Sequence, residues 1–67
     1  MNVGKYVKKE RIKRGMTQKE LAYALSLTDV TISNIENNKH IGRKSIYAIS
    51  KYFGIGVDEL IVNHKQV

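Results

Sequence analysis

Thr17-Gln18-Lys19-Glu20-Leu21-Ala22-Tyr23-Ala24-Leu25-Ser26-Leu27-Thr28-Asp29-Val30-Thr31-Ile32-Ser33-Asn34-Ile35-Glu36 reads as two short helices with almost nothing between them. Thr17 and Glu20 have the spacing of a capping box, in which each side chain satisfies a free backbone N–H of the other's turn. Leu21, Ala22 and Leu25 recur at helical spacing and give the first of these helices one buried side. Ser26-Leu27 makes a tight turn. Thr28 suits the N-cap of the second helix, and Ile32 and Ile35 are its large inward pair. Two helices joined in this way form the helix–turn–helix pattern, whose second helix can lie in a DNA major groove. Spacing alone is a weak signal, because tight turns are common among helical proteins.

The flanking sequence is helical too, and no alternating run is long enough for a strand. Val3, Val7 and Ile12 mark an apolar stripe on a helix from about Val3 to Arg14, and Gly15 fits a left-handed cap. Asn38 is a plausible stop after Ile35, since asparagine tolerates the left-handed conformation. Ile46, Ile49 and Phe53 define a helix from about Lys44 to Phe53, capped by Gly54. Ile55-Gly56-Val57 turns the chain, and Asp58, Glu59 and Leu60 open a short fifth helix at the end where its dipole favours acids. Residues 63–67 read as a frayed tail. Tyr6, Tyr23, Tyr47 and Tyr52 fall where helix packing would half-bury them. The expectation is one all-α, compact five-helix domain over residues 1–67.

With 67 residues, such a domain buries only about 60% of the surface its unfolded chain exposes. There is no cysteine to add a disulfide or a thiolate metal site. Twelve Lys and Arg against six Asp and Glu give a net charge of +6 and a pI near 9.8, which points to a polyanionic partner. The charge is uneven. Lys5, Lys8, Lys9, Arg11, Lys13 and Arg14 crowd the first helix, and Lys39-His40-Ile41-Gly42-Arg43-Lys44 forms a second basic stretch. The segment between them is nearly neutral to acidic. The two patches can grip phosphates while the centre reads something less charged; the alternative is that each is a solvated face. No apolar run approaches the roughly 20 residues that span a bilayer, and the N-terminus has no apolar signal region. The chain is therefore expected to be complete, cytoplasmic and nucleoid-associated, with no membrane partner. His40 and His64 lack metal-ligand spacing, the serines lack a His–Asp pattern, and no Gly-rich phosphate loop occurs. No metal, cofactor, small-molecule ligand or enzymatic activity is expected.

Arg11-Ile12-Lys13-Arg14-Gly15-Met16-Thr17-Gln18-Lys19-Glu20-Leu21-Ala22 resembles the opening of the phage repressor and Cro-type helix–turn–helix family, also called the xenobiotic response element family. Val30-Thr31-Ile32-Ser33-Asn34-Ile35-Glu36-Asn37-Asn38-Lys39 is similar to its recognition helix and the turn after it. Ala48 to Leu60 looks like its fourth and fifth helices, so the similarity spans about Val3 to Val62. The resemblance implies a lambda-repressor-like DNA-binding domain, usually a dimer on a symmetric operator. It further implies that Gln18 contacts a phosphate and often a base edge, that Thr28 through Asn34 form the recognition helix, and that Asn37 and Lys39 touch the backbone. Arg11 and Glu36 then correspond to an internal ion pair, and Lys44 to a position near the minor groove. Three residues depart from the pattern: Ser26 and Asn38 stand where glycine is common, and Gly56 where a Ser or Thr cap is usual.

The recognition helix contains no Lys or Arg, so it cannot make the bidentate contact to guanine that is the commonest specific one. With Ile32 and Ile35 inward, Asp29, Val30, Ser33 and Asn34 face the groove, beside Thr28 at the cap. Asparagine suits adenine, valine methyls suit the thymine methyl, and aspartate can accept from cytosine. The expected preference is for A·T-rich half-sites. Asp29 has a second role open to it as a partner of the helix dipole. Phosphate contacts fall to Lys9, Arg11, Gln18, Asn37, Lys39, His40, Arg43 and Lys44. Val57, Ile61 and Val62 are surplus to one small core and suit a two-fold homodimer contact. The leading reading is a DNA-binding transcriptional regulator, a repressor or a phage or restriction-system controller. The alternative is an antitoxin-like interaction module that neutralises a partner and binds its own promoter secondarily. The short tail after Val62 favours the first.

Overall fold

The computed structural model describes the backbone of residues 2–65 and the side chains of residues 2–61. Five helices make the domain: α1 (Val3–Lys13), α2 (Gln18–Leu25), α3 (Asp29–Glu36), α4 (Arg43–Phe53) and α5 (Val57–Lys65). No strand occurs among the described residues, so the fold is all-α as expected. α5 extends through Lys65, further than the short helix read from the sequence. Of the tail expected to fray, residues 66 and 67 lie outside the described residues.

Local capping explains where the elements begin. Asn2 Oδ1 accepts from Lys5 N–H at 2.9 Å and opens α1. Thr17 and Glu20 form both bonds of the capping box, Glu20 N–H to Thr17 Oγ1 at 3.0 Å and Thr17 N–H to Glu20 Oε1 at 2.8 Å. Thr28 Oγ1 accepts from Thr31 N–H at 3.1 Å and opens α3.

The first four helices share one ending. A left-handed residue follows the last turn, and the next N–H reaches back to a carbonyl five residues earlier. Gly15, Ser26, Asn38 and Gly54 are those residues, with φ of 66°, 58°, 54° and 70°. The returning bonds are Met16 to Arg11, Leu27 to Ala22, Lys39 to Asn34 and Ile55 to Ser50, between 2.8 and 3.2 Å. Two of the four positions therefore hold side chains where glycine would cost less.

Asn38 has a reason to be there. Its Oδ1 accepts from Gly4 N–H at 3.0 Å and its Nδ2 donates to Asn2 Oδ1 at 2.6 Å. The end of α3 is thereby tied to the start of α1. The approach is so close that a Cβ on Gly4 would lie 2.6 Å from the carbonyl oxygens of both Ile35 and Glu36. Only glycine fits at residue 4.

The core is small: Val3, Val7, Leu21, Ala22, Leu25, Ile32, Ile35, Ile46, Ile49 and Leu60. α3 sits between α1 and α2, while α4 packs on α2 and α5, and α5 also reaches α1. Ile12, expected on the buried stripe of α1, is exposed. At about 100° per residue it stands roughly half a turn round from Val3, on the opposite side of the helix. Three of the four tyrosines also differ from expectation, and Tyr6 does not. Tyr6 is half-buried, with its ring edge-on to Phe53. Tyr47, Tyr52 and above all Tyr23, 89% exposed, stand on the surface of α4 and α2.

The two non-glycine caps should respond oppositely to the same substitution. Ser26→Gly relieves a left-handed serine and should stabilise by about 0.5–1 kcal/mol. Asn38→Gly keeps the conformation but leaves Gly4 N–H without its acceptor, and should destabilise by about 1–2 kcal/mol. Thermal unfolding should separate them, at about 4–8 °C per kcal/mol for a domain of this size. A rise in Tm for Asn38→Gly would contradict the tie between α3 and α1.

Candidate nucleic-acid interface

Three helices meet at one carboxylate. Arg11 on α1 donates from Nε to Glu36 Oε2 at 2.6 Å and from Nη2 to Oε1 at 3.1 Å. Its third contact, from Nη1, goes to the Met16 carbonyl at 2.8 Å, just beyond the end of α1. Gln18, the first residue of α2, donates from Nε2 to the same Glu36 Oε1 at 3.1 Å. The side chains of Arg11 and Glu36 are 13% and 4% exposed, so this is a largely buried, bidentate pair. Its hydrogen bonds to Glu36 raise the pKa of Arg11 still further and keep it charged. The ion pair implied by the family resemblance is present.

That geometry redistributes roles. Arg11 was also expected to bind phosphate, but its guanidinium is committed to Glu36 and Met16. Gln18 likewise turns one amide hydrogen inward, which fixes its orientation and leaves its Oε1 without a partner among the described residues. Lys9 is exposed, yet it stands about 160° round α1 from Arg11, away from the side that meets α3. The structure does not bring it together with the other expected phosphate contacts.

The inward side of α3 is as the spacing suggests. Ile32 and Ile35 are fully buried. Val30 is 65% exposed, and Asp29 and Thr28 are exposed beside it. Ser33 and Asn34 are half-buried. Several of these groups are engaged within the helix. Thr28 Oγ1 caps α3 and lies 2.9 Å from Thr31 Oγ1, and Asp29 Oδ1 accepts from Val30 N–H at 3.0 Å. Asn37 Nδ2 donates to the Ser33 carbonyl at 2.9 Å. Asn34 is different: its amide has no partner among the described residues. Beyond Asn37 the chain exposes Lys39, His40, Arg43 and Lys44 within six residues, none of them in an ion pair among the described residues.

A family model described as helix-turn-helix matches residues 7–60. The chain belongs to the helix-turn-helix family of Cro/C1-type repressors. No curated protein matches the chain. Membership makes this a DNA-binding transcriptional regulator, with α2 and α3 as its helix–turn–helix unit. No described helix is long and apolar enough to cross a membrane.

The other end of the α1 charge run is also partly spent. Arg14 Nη1 bonds to Glu10 Oε1 one turn earlier, and its guanidinium lies 4.7 Å from the centre of the Phe53 ring. The Arg14 hydrogen bond holds the Glu10 carboxyl below the usual carboxylate range. Of the six cations of the N-terminal run, Arg11 and Arg14 are thus occupied within the fold. Sequence reasoning placed Asn38 at the end of α3 but missed its tie to Gly4 and Asn2, and it missed the Met16 carbonyl that Arg11 holds. The signal for that tie was an asparagine where glycine is usual.

Arg11→Lys should be costly although it keeps the charge. A lysine cannot span both carboxylate oxygens and the Met16 carbonyl from one planar group. A loss of about 1–3 kcal/mol in urea unfolding is expected. An unchanged midpoint would mean that charge alone, rather than the forked geometry, holds the three helices.

Proposed function

We propose that the protein is a repressor that binds a near-palindromic operator as a homodimer, laying α3 in the major groove of each half-site. The observation that carries this is an exposed Val30 beside an Asn34 amide on one outer face of α3, bordered by the cations of residues 39–44, with neither the amide nor the cations partnered among the described residues. Val30 meets a thymine methyl, and Asn34 donates to and accepts from an adenine edge. Asp29 and Ser33 flank them as base-facing residues, with Thr28 at the rim. Asp29 also supports its own helix start, so its part in base reading is the smaller one. The absence of Lys and Arg from α3 removes the usual guanine contact and favours A·T-rich half-sites.

Affinity comes from the backbone contacts. Gln18 and Asn37 donate to phosphates from the ends of α2 and α3, and Lys39, His40, Arg43 and Lys44 approach the strand beyond. The two copies meet through Val57 and Ile61, with Val62, whose side chain lies outside the described residues. Val57 packs partly on the core and Ile61 is exposed. Both belong to the first turns of α5, so a two-fold contact there would hold two α3 helices at a fixed spacing. A cytoplasmic, nucleoid-associated location follows from this reading.

The test is to select bound duplexes from random DNA and then titrate variants against the best site and a scrambled one. The selected site should be a near-palindrome with half-site centres about 10–10.5 bp apart. Asn34→Ala should cost about 1–3 kcal/mol on that site and little on scrambled DNA. Lys39→Ala should weaken both equally and reduce the salt slope by about one. With about six phosphates neutralised per dimer, wild-type affinity should fall roughly a thousandfold between 50 and 200 mM salt. Equal losses on both DNAs for Asn34→Ala would remove it as a base reader. A selected site without symmetry would remove the dimer.

A further inference from the structure

We propose that Lys5, Lys9 and Lys13 on the outer side of α1 form a second DNA-contacting surface, which takes the phosphate backbone of a second duplex without regard to sequence. The three lysines are spaced i, i+4 and i+8, so they stand in one row along the helix. Each is exposed, and none has an acidic partner among the described residues. The one acid of α1, Glu10, is bonded to Arg14 instead. The row works against the helix that carries it. Like charges one turn apart repel. Lys5 also lies in the first turn, where the dipole favours acids and α1 has none. The fold gains nothing from this charge, which is left for a ligand.

The direction of the row separates it from the recognition face. At about 100° per residue, Lys9 stands about 160° round α1 from Val7, which is buried in the core, and from Arg11, which meets Glu36 on α3. Lys5 and Lys13 lie about 40° to either side of Lys9. The row thus looks away from the core and from α3, and a duplex lying on Val30 and Asn34 leaves it facing outward.

Spacing and composition set the occupant. The row is about 12 Å long, and one strand of a duplex presents a phosphate about every 3.4 Å of axis, so the lysines meet about three or four phosphates. An anionic bilayer is a poorer match, because a helix that lies in the interface needs an apolar side to insert. Val3 and Val7 are spent in the core, and Ile12, 58% exposed, is the single exposed apolar residue of α1. Membership of a DNA-binding family supplies the polyanion, since a chain bound to DNA has further duplex around it. The inference rests on that membership and on neither the operator nor the dimer. Its consequence is a protein that holds two duplexes together, one by α3 and one by α1.

Two short duplexes of unrelated sequence, one carrying a donor dye and the other an acceptor, test this when mixed with the protein. The described domain measures 28 × 21 × 18 Å, so duplexes held on two of its sides lie within range of energy transfer. Fluorescence anisotropy follows binding to one duplex alone. The double variant Lys9→Gln, Lys13→Gln removes two charges of the row. The double variant Lys19→Gln, Lys51→Gln removes two exposed charges elsewhere and matches it in net charge. Wild type and the second variant should give energy transfer, and the row variant should need at least about tenfold more protein for the same signal. With about three phosphates neutralised, the apparent affinity behind that signal should fall about 40-fold between 50 and 200 mM salt in the wild type. Binding to a single duplex should be alike in both variants. Equal transfer from all three proteins, or none from the wild type, would overturn the proposal. So would a loss of single-duplex binding confined to the row variant, which would place these lysines in the ordinary DNA interface. Row-dependent capture of anionic phospholipid vesicles without energy transfer would overturn it in favour of a membrane surface. The anisotropy arm reports DNA binding by itself, so its failure is distinct from failure of the second surface.

Discussion

The Glu36 carboxylate is the point through which α1, α2 and α3 are fixed relative to one another. It accepts from Arg11 on one side and from Gln18 on the other, and Arg11 in turn holds the Met16 carbonyl just after α1 ends. A small apolar core, ten residues among those described, would pull these helices together in several nearly equivalent ways, because apolar contact is not directional. The forked guanidinium is directional. Burying two charges costs much of what their attraction returns, so the net gain in stability over a well-packed apolar pair is small. What the pair supplies is geometry. It positions the helix whose outer face carries Val30 and Asn34.

The opposite end of α1 applies a second constraint to the same helix. Gly4 lets the α1 backbone lie against the last carbonyls of α3, and Asn38 bonds back to Gly4 and Asn2. Arg11 and Gly4 are seven residues apart, about 10 Å along α1. α3 is therefore held at two points of its neighbour, which resists rotation about either one. The basic stretch 39–44 follows directly from this clamped end, so the cations start from a fixed position beside the recognition helix. For a short chain without disulfides, such polar ties substitute for core that cannot grow larger.

Much of this was legible in the sequence because it is local. The capping box at Thr17 and Glu20, the cap at Thr28 and the helix stops at Gly15, Asn38 and Gly54 each involve neighbours within one turn or so. These residue types state their role without reference to the rest of the fold. The inward placement of Ile32 and Ile35 followed from helical period in the same way. The pairing of Arg11 with Glu36, 25 residues apart, was available only through family resemblance. What failed needed knowledge of which side of a helix faces the core. Ile12 was read as buried because it is apolar, although five residues after Val7 the helix has turned it outward. Tyr23 and Tyr47 were read as packing residues for the same reason. The tie from Asn38 to Gly4 joins segments 34 residues apart and leaves no local pattern.

The most direct measurement of the central interaction is a double-mutant cycle on Arg11 and Glu36, read by urea unfolding. Arg11→Ala and Glu36→Ala should each cost about 3–5 kcal/mol, because each leaves a largely buried charge without its partner. The double variant should cost less than the sum by about 2 kcal/mol or more. Single losses below about 1 kcal/mol that simply add would place the pair in the class of solvated surface contacts. The three helices would then be held by apolar packing and the Asn38 tie, without the Glu36 junction.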